Sequence, residues 1–150
     1  MSFGAAAVTA LMSALRSHAQ STGLFADVVA HEPASVPQQG VTCAIWFGAI
    51  APDGAASGLG AVSGTVSFLV QVAASLQQRP LDDVEDRVVS AASGLLAAYS
   101  GALTLGGSVR NVDLMRLRAQ GGYFDQDSAK FRAVNITLPI VVNDLWAEVA

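Results

Sequence analysis

The stretch GGYFDQDSAKFRAVNITLPIVVNDLW, residues 121–146, carries the strongest β-strand pattern in the chain. Two glycines open it, the polar run DQDSA has the composition of a turn, and β-branched residues dominate the remainder. The pattern predicts a β-hairpin whose second strand places alternate apolar side chains on one face: Val134, Ile136, Leu138, Ile140 and Val142.

The length of this second strand predicts its place in the sheet. A long apolar strand at a sheet edge would invite aggregation, so we expect an internal strand. Pro139 cannot donate a backbone hydrogen bond. We therefore expect the strand to reach an edge, form a bulge or change partners at that residue.

Upstream of the hairpin, residues 108–120 read as a strand whose alternation slips near Leu114 and Met115, which predicts a bulge. Before it, the run LDDVEDRV predicts the start of a helix, with Asp82 and Glu85 in capping-box spacing. An apolar stripe continues this helix to a glycine pair at residues 106–107.

The first half of the chain predicts one helix and three strands. Apolar spacings of three and four predict a helix over residues 3–21 that ends at Gly23, and a short strand follows it. Alternation over residues 41–50 and 65–72 predicts a hairpin around a Gly/Ala/Ser loop at 51–64. The whole pattern predicts a single α+β domain over residues 1–150, with a mixed or antiparallel sheet of long hairpins packed by two helices.

Composition limits the functional classes. The formal net charge is −4, which gives no general attraction to nucleic acid or to anionic lipid. Charged residues make up 13% of the chain where about 25% is usual, and such a surface favours association. The uncharged run at residues 88–109 is long enough to span a bilayer, but its Ser and Gly content favours an amphipathic helix and no membrane partner.

No motif for catalysis, metal binding or cofactor binding occurs at its required spacing. The single cysteine, Cys43, is expected to be buried, and the two histidines form no ligand pair with it. The glycine-rich loop matches neither a nucleophile elbow nor a dinucleotide fingerprint. We therefore expect no enzymatic activity, no metal and no cofactor.

Basic residues concentrate in the last third of the chain, while acids concentrate at the start of the second helix. This separation of sign suits a protein that contacts copies of itself head to tail. A solvated face with scattered ion pairs is the alternative. The predicted interface residues are Arg110, Arg116, Arg118, Lys130 and Arg132.

Two segments, AYSGALTLGGSVRNVDL at residues 98–114 and the closing stretch at 121–146, resemble tail terminator proteins of long non-contractile-tailed bacteriophages of actinobacterial hosts. ASGLGAVSGTVSFLVQV and RPLDDVEDRV resemble further segments of that family, so the resemblance spans roughly residues 53–146. It implies a virion protein, made in the host cytoplasm, that forms a hexameric ring on the head-proximal end of the tail.

The same resemblance implies the partners: other copies of the chain, the major tail tube protein and a head-closure protein, without specific recognition of nucleic acid. It also implies that the 53–64 loop lies in a contact surface, with Leu59 as an anchor. Reversing Arg116 and Arg118 to glutamate is expected to weaken the ring. Two alternatives remain open at this point, namely another tail or connector subunit and a small cytoplasmic ligand-binding or enzymatic domain.

Overall fold

The computed structural model describes residues 5–30, 40–52, 61–75, 82–100, 111–126 and 129–147. Two helices and six strands occur in these ranges, in the order that the sequence predicts. They are α1 (Ala5–Ser21), β1 (Asp27–Val29), β2 (Thr42–Pro52), β3 (Ala61–Ser75), α2 (Asp82–Ser100), β4 (Asn111–Val112), β5 (Arg118–Gln126) and β6 (Ala129–Ala147).

The six strands form one mixed sheet that is five strands wide. β1 pairs with β2 in parallel, and β2, β3 and β6 follow in antiparallel order. The far side of β6 is shared by β5 and β4, which occupy successive stretches of it. The α+β class, the mixed sheet, the two long hairpins and the internal position of β6 are therefore confirmed.

Pro139 lies where β6 changes partners. The β5 pairing ends at Thr137, opposite Arg118, and the β4 pairing begins at Ile140, opposite Val112. The backbone N–H of Asp113 donates to the Pro139 carbonyl at 2.9 Å. Because a residue's N and C=O point to the same side of a strand, the missing proline donor falls at the junction of the two partners.

One face of the sheet carries both helices. α1 contacts β1 and β2, and α2 contacts β3 and β6. The five alternating β6 residues predicted for one face lie here; Val134, Ile136, Leu138 and Ile140 are buried and Val142 is partly buried. From α2 the core takes six buried residues: Val84, Val88, Ala91, Ala92, Leu95 and Tyr99.

The predicted helix boundaries hold where they can be compared. Gly23 follows α1 with φ of +70°, a left-handed conformation that glycine adopts without a steric penalty. The start of the first predicted helix at residues 3–4 and the end of the second at 101–107 lie outside the described residues. Neither α1 nor α2 is long and apolar enough to cross a bilayer.

Two predicted boundaries are wrong. The segment predicted as one bulged strand at 108–120 is two strands, because a turn at residues 114–116 separates β4 from β5. Asp113 sets this turn, since its Oδ1 accepts from the Met115 N–H at 3.2 Å and its C=O accepts from the Arg116 N–H at 3.3 Å.

The other wrong boundary is the predicted loop at 51–64. Its two ends belong to β2 and β3, because Pro52 pairs with Gly64 and Ala51 pairs with Thr65. Small residues gave no strand signal there, but backbone pairing needs no large side chain. The middle of the loop lies outside the described residues.

Candidate interaction surfaces

The face of the sheet opposite the helices is called here the outer face, and one end of it, at Ser75 and Phe131, is buried. At its centre Trp46 lies opposite Leu69 in the β2–β3 pairing, and both are half-buried. Gln71 Nε2 donates to Asn135 Oδ1 at 3.0 Å, which joins β3 to β6 by their side chains. The outer face therefore combines an apolar centre with the side-chain amides of Gln71 and Asn135.

Formal charge on the outer face lies only at its edges, among strand residues whose side chains are described. Arg118 begins β5 opposite Thr137 and is exposed. Asp27 begins β1 opposite Thr42 and is also exposed. These two residues carry opposite charges at opposite edges of the sheet. Arg118 is one of the interface residues predicted from the sequence. Asp27 is not, because its face could be assigned only from the pairing of the three-residue β1.

Arg132 lies on the other side of the sheet and is largely satisfied within the molecule. Its Nη2 donates to Glu85 Oε1 at 3.1 Å, and its Nη1 donates to the Gly122 carbonyl at 2.7 Å and to that of Ala133 at 3.3 Å. The Arg132 side chain is 14% exposed. This geometry ties the first turn of α2 to the β5–β6 hairpin.

An aromatic ring completes this cluster. Tyr123 lies opposite Arg132 in the hairpin, with the guanidinium carbon 4.7 Å from the ring centroid. Lys130 Nζ lies 5.4 Å from the same centroid. Both distances fall within the range of cation–π attraction. Tyr123 and Lys130 remain exposed, so they can still contact a partner.

The turn between β4 and β5 presents an apolar side chain to solvent. Met115 is 94% exposed at its tip, and Leu114 beside it is partly exposed. Arg116 forms an ion pair with Asp113, with 3.6 Å between Nε and Oδ2. Asp113 also stabilises the turn backbone through its hydrogen bonds, so Met115 projects into solvent from an ordered turn.

The structure therefore divides the predicted basic set. Lys130 and Arg132 share the helix side of the hairpin, Arg118 lies on the outer face, and Arg116 lies in the β4–β5 turn. Arg110 and Leu59 lie outside the described residues. Sign and clustering could be read from the sequence, but the face of each residue depends on where its strand begins, and the strand predicted at 108–120 is divided between β4 and β5.

Three polar groups meet the core where the helices adjoin the sheet. The rings of His18 and Tyr99 stack at 5.1 Å between α1 and α2. Burial raises the pKa of the Cys43 thiol from 9.0 to about 12. Burial, and secondarily the nearby Cys43, also raise the pKa of Tyr99. Cys43 is thus buried in the core, as predicted. The described residues contain no group of three or more His, Cys, Asp or Glu placed to hold a metal.

Comparison with known proteins finds structural similarity at low sequence identity. No protein-family model and no curated protein matches the chain. A solved structure described as the virion of a native gene transfer agent particle contains a similar chain, with a TM-score of 0.47 and 14% sequence identity over 91% of this chain and 97% of that chain. A similarity of that size assigns neither a family nor a function to this protein.

Proposed function

We propose that this protein is a structural virion subunit that forms a ring on the head-proximal end of a phage tail tube. In that position it ends tube polymerisation and offers a docking surface to a head-closure protein. The role is architectural and requires no catalysis. The major tail tube protein and other copies of the chain are its direct partners.

The outer face is the observation that carries this proposal. A two-layer subunit ordinarily buries one sheet face and solvates the other with charged side chains. Here the second face has Trp46 and Leu69 at its centre and formal charge only at its edges among the described strand residues. Such a face suits repeated contact with protein, since the centre of an interface is depleted in charge and enriched in aromatic residues.

The sequence resemblance adds the specific role. The segments that resemble tail terminators include β3, the start of α2, β5 and β6. These elements supply the centre of the sheet and one of its edges. A ring subunit must present different surfaces to its two neighbours, and the opposite charges at the two edges meet that requirement.

The mass of the purified protein, measured by light scattering with and without purified tail tubes, tests the proposal. We expect a discrete ring, either alone or only on tube ends, and we expect tubes capped by it to stop growing. Unlimited tubes formed by the protein alone would instead identify a tube subunit. A monomer that does not bind tube ends would rule out a role at the end of the tail.

A further inference from the structure

The two edges of the sheet are open in the part of the chain that the structure describes. β1 pairs there with β2 alone, and β5 pairs with β6 alone. Unpaired strand edges present free N–H and C=O groups that can extend a sheet into another chain. Both edges are therefore able to accept a strand.

The charges at these edges are complementary. Asp27 and Arg118 are both exposed, both point to the outer face, and neither forms an ion pair with another described residue. β2 and β3, which lie between β1 and β6, contain no formal charge. One edge is thus acidic and the other basic on the same face of one sheet.

Strand direction permits the two edges to meet. β1 runs parallel to β2, and antiparallel pairing then alternates through β3, β6 and β5. β5 therefore runs opposite to β1. If β5 of one subunit adjoins β1 of the next, the new pair is antiparallel, in which residues facing each other lie on the same side of the sheet.

The register of the strand pairs determines how far each subunit is shifted along the strand direction relative to its neighbour. Asp27 is aligned through Thr42 and Ala73 with Ala133, whereas Arg118 is aligned with Thr137, four residues further along β6. Placing Arg118 opposite a neighbour's Asp27 thus shifts each subunit by ~13 Å over a sheet width of ~24 Å. The strands then tilt by roughly 30°, near the roughly 35–45° of closed barrels. The even shift also keeps the outer faces continuous.

We propose that neighbouring copies join head to tail through these edges, with Arg118 of one subunit paired with Asp27 of the next. This inference rests on the proposed ring function and names the contact that closes the ring. The alternative is a two-fold dimer in which β1 pairs with β1 or β5 pairs with β5 of the second copy. Charge repulsion disfavours it, because it would bring Asp27 near Asp27 or Arg118 near Arg118.

Charge reversal tests the pairing. Arg118→Asp should raise the concentration needed for half-assembly by about tenfold or more, Asp27→Arg should do the same, and the double variant should restore assembly. Arg87→Glu reverses an exposed charge on α2, which packs on the opposite face of the sheet, and should leave assembly unchanged. Failure of the double variant to recover, or an equal loss with Arg87→Glu, would overturn the pairing.

Cross-linking tests the contact between β1 and β5 of neighbouring subunits independently of ring formation. In a variant carrying Asp27→Cys and Arg118→Cys, a short bismaleimide should link assembled subunits into a ladder, while buried Cys43 stays unmodified. Each single cysteine variant should give no linked dimer. Rings without a ladder, or dimers from a single variant, would overturn the edge contact and leave the proposed function standing. Absence of rings from the unmodified protein, with or without tubes, would overturn both.

Discussion

A single side chain, Arg132, connects the start of α2 to the β5–β6 hairpin. Its guanidinium contacts the Glu85 carboxylate, two backbone carbonyls and the Tyr123 ring. Charge-assisted hydrogen bonds of this kind are stronger than neutral ones and persist when partly buried. The positive charge of Arg132 is evident from the sequence. Its hydrogen bond to Glu85 within the same subunit could not be predicted, because Glu85 precedes it by 47 residues.

The space that Arg132 occupies explains Gly121 and yields a prediction. A Cβ at Gly121 would lie 2.9 Å from Arg132 Nη2, a group already held by Glu85. Gly121→Ala should displace the guanidinium and lower the free energy of unfolding by about 1–2 kcal/mol, as measured by urea denaturation.

The adjacent glycine supplies the matched control. A Cβ at Gly122 would meet Asn135 Nδ2 at 3.5 Å, which is an ordinary contact. Gly122→Ala should therefore keep or slightly raise stability, because alanine reduces the entropy of the unfolded chain. Equal losses for both variants would mean that strand geometry, and not the position of Arg132, governs this site.

Local sequence patterns predict that a helix or strand exists more reliably than they predict the residues at which it begins and ends. Periodicity predicted both helices, periodicity with turn composition predicted both hairpins, and the apolar length of β6 predicted its internal position, since each depends on features within one segment. The parallel pairing of β1 with β2 depends on distant residues and could not be predicted. The β4–β5 turn was misread because Asp113 ends β4 through local hydrogen bonds while the flanking apolar residues mimic a continuing strand.

The β2–β3 hairpin contains a bulge whose residue type is constrained. The register shifts between Phe47 and Ala49, leaving Gly48 as the extra residue. A Cβ there would lie 2.9 Å from the Ser67 carbonyl oxygen, which is a backbone atom with little freedom to move. Gly48→Ala should lower the free energy of unfolding by about 1–3 kcal/mol.

Thermal or urea unfolding measures this effect, with Gly23→Ala as a comparison at a position where strain arises for a different reason. Gly23 has open space around it but a positive φ, so the stability lost in Gly23→Ala comes from backbone conformation alone. Unchanged stability for Gly48→Ala would mean that the bulge relaxes without cost.

The whole molecule depends on one core formed by both helices and the inner face of the sheet. Among the residues whose burial the structure describes, its members come from α1, α2 and all strands except β5. Cys43 lies within it and is 1% exposed, so its thiol reports on the integrity of the entire core.

This burial predicts a loss of stability at alkaline pH. The folded-state pKa of Cys43 is raised to about 12, whereas the unfolded thiol ionises near its ordinary value of 9.0. Ionisation therefore favours the unfolded chain as the pH rises above that value, and stability is greatest below it. Between about pH 8 and about pH 10 the thiol should account for a fall of about 1 kcal/mol in the free energy of unfolding.

Urea denaturation of the protein and of Cys43→Ala at the two pH values checks this prediction. The variant should be less stable overall, yet it should lose less stability on going to the higher pH. An identical loss in both proteins would show that the thiol does not contribute to the pH dependence.

The pairing of β3 with β6 also governs how the chain reaches its native state. Ala61 pairs with Ala147 and Ser75 with Phe131, so this central ladder joins residues far apart in the chain. Non-local pairing slows folding because a long loop must close before its contacts form. During synthesis β3 can pair with β2 well before β6 emerges from the ribosome, and its other edge stays open. The nascent chain is thus exposed to aggregation until β6 arrives to cover it.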